Sequence, residues 1–131
     1  MSKTHTDLEQ SKKLAEILPL NSADCFYRYF TNHYNVAQYT LETYPYNKGA
    51  DKKHDLPCWS LSALLEVLPK EVNIEGQRYA PCLFPVIDGH WLLKLWYNSN
   101  ETITSPIAIF EDNPVDVYYE MIVKLNKLKL L

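Results

Sequence analysis

The residues of this 131-residue chain best equipped for chemistry are its three cysteines, Cys25, Cys58 and Cys82, and its four histidines, His5, His33, His54 and His90. Thiolate catalysis needs a base near the sulfur and a carboxylate to orient that base, so Cys58 or Cys82 with His90 and Asp88 is the trio to weigh. The same residues have a simpler reading. Asp88-Gly89 is a tight-turn pair, since glycine accepts the positive φ a turn demands, and His90 then opens a strand. Cys58 precedes a helix cap, where backbone amides need not point at the sulfur, and a small packed side chain accounts for it. The histidines form no i, i+4 pair that would set two imidazoles on one helix face for zinc. Three glycines leave no phosphate-cradling loop. No catalytic residue, metal or cofactor is assigned on these grounds.

The elements that would position such residues are readable from period and punctuation. Thr6 and Glu9 have capping-box spacing ahead of a helix from about Asp7 to Leu18, with an apolar stripe of Leu8, Leu14, Ala15 and Leu18, and Pro19 ends it. "DCFYRYFTNHYNVAQYTLET" predicts two strands joined by a turn in "TNHYN". In "DLPCWSLSALLEVLP", Ser60 caps a central helix, and Trp59 and Leu64 have the spacing of a hydrophobic staple. Glu75-Gly76 and Asp88-Gly89 mark two further hairpins. Trp91, Leu93, Leu95 and Tyr97 would share one face of the strand after Asp88-Gly89, and Leu92, Lys94 and Trp96 the other. Both faces being apolar, that strand is expected to be central. Pro81 and Pro85 imply an edge or bulges in the strand before it. A last strand at "PIAIF" follows a polar turn at "NSNET". Asn113, Pro114 and Asp116 then start a C-terminal helix with a stripe of Val117, Tyr118, Met121, Leu125 and Leu128.

Composition narrows the function classes. With 47% apolar and 13% aromatic residues the chain is expected to fold as one packed α+β domain spanning residues 1–131. Its architecture is expected to be an antiparallel sheet of five or six strands with N-terminal, central and C-terminal helices. A net charge of -3 weighs against broad nucleic-acid or acidic-lipid binding, which draws on clustered positive charge. No apolar run has the length of a secretory signal or a bilayer span, and three widely spaced cysteines fit free thiols, so no membrane association and a cytoplasmic location are expected. "YPYNKGADKKHD" carries proline, glycine and charge and reads as an exposed loop. Its Tyr44, Tyr46, Lys48, Lys52, Lys53 and His54 offer contact area, hydrogen bonds and charge to a partner, the alternative being a solvated loop.

Three stretches, "EQSKKL" followed by "SADC", "LPCWSLSALLEVLP", and "NPVDVYYEMIVKL", together resemble a family of small uncharacterised proteins of phages, prophages and mobile elements of anaerobic gut bacteria. The motif residues are Pro57, Trp59, Ser60, Leu61, Leu64 and Leu65, with Asn113 to Asp116 before the last helix. The resemblance implies a shared origin and fold and brings no catalytic residues with it. The expected role is therefore a phage-type accessory protein acting as a non-catalytic binding module for a host or phage protein. A homodimer through aromatic surface outside the core is a further expectation. Single-stranded nucleic-acid binding and a thiol-dependent enzyme are the alternatives.

Overall fold

A computed structural model describes residues 3–97 and 106–131. The chain divides into two compact units, Thr4–Val67 and the described residues of Met1–Lys3 with Leu68–Leu131. The expected polar turn at 98–102 lies outside the described residues. Among the described residues the fold is α+β with four α-helices, but the strands form two antiparallel sheets, of three and four strands, in place of one sheet of five or six.

In the first unit, α1 spans Leu8–Ala15, β1 Cys25–Thr31, β2 Ala37–Glu42, the one-turn α2 Tyr46–Gly49, β3 Leu56–Cys58 and α3 Leu61–Val67. The capping box of α1 is made by Asp7 and Gln10, one position later than Thr6 and Glu9. Thr6 is taken up elsewhere: its buried hydroxyl meets Ser11 Oγ at 2.8 Å and accepts the Trp59 amide at 3.1 Å. The expected hairpin is present, its turn held by Asn32 Oδ1, which accepts the Tyr34 and Val36 amides, while Asn35 takes a positive φ. β3 is the strand that periodicity did not reveal. Three residues with a central proline show no alternation, yet they pair with β1, Pro57 lying opposite Phe26. The sheet order is β2-β1-β3.

The staple forms as its spacing implies. Ser60 Oγ accepts the Ala63 amide at 3.2 Å, and Trp59 and Leu64 are both fully buried. The indole N–H donates to Ser22 Oγ at 2.9 Å, so the ring is fixed at its polar end as well.

In the second unit, β4 (Val72–Ile74), β5 (Gln77–Val86), β6 (His90–Trp96) and β7 (Ala108–Glu111) form a meander, and α4 (Pro114–Lys127) packs against β6 and β7. Glu75 and Gly76 both have positive φ, the signature of a two-residue hairpin turn; Asp88 and Gly89 do the same in the turn after β5. β4 is so short that β5 is central only in its first residues. Pro81 and Pro85 fall where its other side has no partner, so the edge expectation holds for that stretch. α4 is capped by Asn113 Oδ1, which accepts the Asp116 amide at 2.9 Å. Its buried stripe includes Val115 and Ile122, whereas Leu128, expected within it, is the C-cap and is exposed. Leu93 and Leu95, on the face of β6 that α4 covers, are fully buried.

Candidate functional site

The register of the second sheet assembles its other face row by row. Phe84, Leu92 and Phe110 stand side by side across β5, β6 and β7; the next row is Cys82, Lys94 and Ala108; beyond it Ala80 faces Trp96, and at the opposite end Val86 faces His90. One-faced antiparallel sheets ordinarily turn polar residues to water. Here Phe84, Trp96 and Phe110 are 39%, 43% and 53% exposed, and Val86 and Ile87 are exposed beside them. β6 is apolar on both sides and central, as the alternation predicts, but among the described residues only α4 covers one of its sides and the other stays partly exposed.

A single cation occupies the middle of this surface. Lys94 Nζ lies 4.5 Å from the centre of the Trp96 ring and 5.1 Å from that of Phe84. Among the described residues no carboxylate lies within ion-pair distance of it. The two rings hold the ammonium through their negative faces, a partial substitute for water and a weaker one than a carboxylate. At one margin, Lys70, Glu71, Arg78, Tyr79, Trp96 and Tyr97 line an open cleft of about 340 Å³. Tyr79 and Tyr97 meet edge to face at 5.4 Å, and Arg78 reaches Glu71 at 3.3 Å, so the arginine is already neutralised. At the other margin, His90 Nδ1 is 2.8 Å from Asp112 and its ring lies 5.0 Å from that of Phe110. The arrangement offers apolar area, stacking faces and an unneutralised positive charge at its centre. The Cys82 thiol on this face is directed to Ala80 O at 3.7 Å, and among the described residues no base is hydrogen-bonded to it.

The Cys82 form of the thiol trio is not brought together. Cys82 stands opposite Lys94 while His90 stands opposite Val86, four ladder positions away, or about 13 Å at the usual rise per residue. Asp88 is a turn residue with φ 73°. Cys58 belongs to the other unit and lies across from Cys25 in the β1–β3 pair, both thiols free and buried. Hydrogen bonding with Cys58, reinforced by burial, pushes the Cys25 thiol far above its ordinary range, which keeps it protonated. Among the described residues no three His, Cys, Asp or Glu side chains gather as a metal site, and no helix is long and apolar enough to cross a membrane.

The loop residues separate into two groups. Tyr44, Lys48, Lys52, Lys53 and His54 are exposed, whereas Tyr46 is 3% exposed and opens α2. Two aspartates shape the segment: Asp51 accepts the Lys53 amide and meets His54 Nδ1 at 3.0 Å, and Asp55 accepts the amides of both Tyr29 and Asp51. The hydrogen bond to His54 holds the Asp51 carboxyl below its usual range. His54 stacks on Tyr29 at 5.7 Å.

Sequence reasoning did not single out Phe84, Lys94, Trp96 and Phe110 as a surface. The signal was present in Leu92, Lys94 and Trp96, an apolar face interrupted by one lysine, but period alone does not say whether a second layer covers it.

No protein-family model, curated protein or solved structure matches the chain.

Proposed function

We propose that this protein is a non-catalytic binding module that docks a protein partner on the open face of the β4–β7 sheet. The observation carrying this reading is the apolar face itself, with Phe84, Trp96 and Phe110 exposed around an unneutralised Lys94. An apolar patch rimmed by polar residues marks an interaction surface, and aromatic anchors supply most of the energy at such sites. The lysine defines the partner's chemistry: an apolar surface with an aspartate or glutamate near its centre. The resemblance of the Trp59 and Asn113 segments to phage and mobile-element proteins supports placing that partner among host or phage proteins.

A second reading has a specific observation in its favour. Exposed rings on adjacent strands beside a lysine can stack unpaired bases. Backbone phosphates need several cations in a row, however, and with Arg78 on Glu71 and His90 facing Asp112 the face keeps Lys94 at its middle and Lys70 at its margin, too few for a backbone track. The protein reading is therefore the better supported.

Immobilised protein should retain a partner from nuclease-treated lysate of a phage-induced host, and the Lys94→Glu/Trp96→Ala variant should lose it while keeping its unfolding midpoint. Retention that disappears on nuclease treatment would transfer the surface to nucleic acid. Equal capture by the double variant would remove the face from consideration.

A further inference from the structure

A different surface, in the other unit, carries an inference beyond that reading. β2 is an edge strand in the order β2-β1-β3, and Ala37 to Leu41 are all exposed. Native edges are usually blunted by lysine, proline, a bulge or a covering element. β2 reads Ala-Gln-Tyr-Thr-Leu-Glu, with no lysine or proline, and its register with β1 runs unbroken from Phe26↔Glu42 to Thr31↔Ala37.

The direction of its free hydrogen-bonding groups follows from three neighbours. The Tyr29 amide turns away from β2 to Asp55 Oδ1, and Phe26 faces Pro57, which has no amide, on the β3 side. At the turn, the Asn32 amide reaches Val36 O across the hairpin. In an antiparallel ladder these place Tyr29↔Tyr39 among the pairs that do not bond each other, so Tyr39 points its N–H and C=O to the open side, as do Ala37 and Leu41 by alternation.

We infer that two copies of this chain pair through β2, antiparallel and in the register that puts Thr40 opposite Thr40 of the second copy. In that register Tyr39 meets Leu41 twice, joining apolar side chains and exchanging the free amides and carbonyls. The single charge of the strand, Glu42, meets the Gln38 amide. Shifting the centre by one residue to Tyr39 would instead set Glu42 against Val36, leaving the carboxylate beside an apolar side chain. Centred on Thr40 the strand is self-complementary in charge and polarity, and the pairing joins two three-stranded sheets into one of six.

The register makes the inference testable position by position. Thr40 would form a non-bonded pair with its own copy, the closer of the two antiparallel spacings. In a Cys82→Ser background treated with oxidised glutathione, Thr40→Cys should give a disulfide-linked dimer. Gln38→Cys and Glu42→Cys should each remain monomeric alone and cross-link when mixed. Sedimentation from micromolar to millimolar protein should show a monomer–dimer equilibrium, which Gln38→Glu weakens about tenfold by opposing two carboxylate pairs and Gln38→Lys tightens. Positions 38 and 40 are exposed on the edge and Glu42 is half-buried beside Arg28, and unchanged unfolding midpoints would confirm that the variants fold. A chain that stays monomeric throughout, equal cross-linking at positions 38, 40 and 42, or an affinity indifferent to the charge at position 38 would each overturn the inference.

Discussion

Trp59 is fully enclosed and hydrogen-bonded at its indole nitrogen, so Trp59→Ala should lower stability by about 3 to 5 kcal/mol, read as a shifted denaturation midpoint. An unchanged midpoint would contradict its place in the core. Tyr44 and Tyr46 separate two residues that look alike in the sequence. Tyr46→Ser should cost about 3 kcal/mol, whereas Tyr44→Ser, at an exposed position, should stay within about 0.5 kcal/mol. The staple could be read because Trp59, Ser60 and Leu64 fall within one helical turn and a half, and local spacing is what a sequence displays. The burial of Tyr46 could not, because it depends on chain brought from elsewhere: the Tyr46 amide bonds Ala23 O, more than twenty residues upstream. The surrounding "YPYNKGADKKHD" is otherwise polar and signals only a loop. Asp55 is the same kind of case, a charged residue that stays buried because two amides from different elements converge on it.

At the scale of elements, turn and cap chemistry carried through with one shift, the α1 capping box falling on Asp7 and Gln10 in place of Thr6 and Glu9. Glu75-Gly76, Asp88-Gly89 and Asn113-Pro114 each did what their backbone preferences require, and Asn113→Ala should cost about 1 kcal/mol by freeing the Asp116 amide, with loss of helicity on mild heating as the readout. What period could not convey was which strands pair. β3 was too short to alternate, and nothing in a strand's own residues says that β1 takes β2 and β3 as neighbours while β4 to β7 form a sheet of their own. The start of α4 also contains an electrostatic conflict. Burial, with the charges of Glu120, Asp116 and Asp112 around it, raises the Glu111 carboxyl above the ordinary glutamate range. A raised folded-state value means that the ionised form opposes folding, so its contribution to stability is complete below the unfolded-state value and is lost as pH rises through the folded one. Glu111→Gln should therefore raise the unfolding temperature at neutral pH, and the gain should vanish as pH falls toward 4. A gain that persists in acid would point to packing instead.

Across the whole molecule, what distinguishes a binding face from a core face is whether its apolar residues contribute to stability. Leu93 and Leu95 lie on the covered side of β6, and truncating either to alanine should cost about 2 to 5 kcal/mol, since a cavity would open under α4. Phe110 and Trp96, on the other side, already meet water over about half their surface, so most of their hydrophobic free energy is not used in folding. Trp96→Ser and Phe110→Ser should therefore each shift stability by less than about 1 kcal/mol, a residue of contacts such as the Lys94–Trp96 pair. Both variants should be more soluble than the parent chain, because an exposed apolar patch also drives non-specific contact. Lys94→Met separates charge from area on the same surface. It keeps the apolar stem and removes the ammonium, so it should leave the unfolding midpoint nearly unchanged while slowing partner association and flattening its salt dependence. Denaturation curves for these variants beside Leu93→Ala decide the matter: a loss at Trp96 or Phe110 as large as that at Leu93 would mean that the open face is part of the core and that docking must be sought elsewhere.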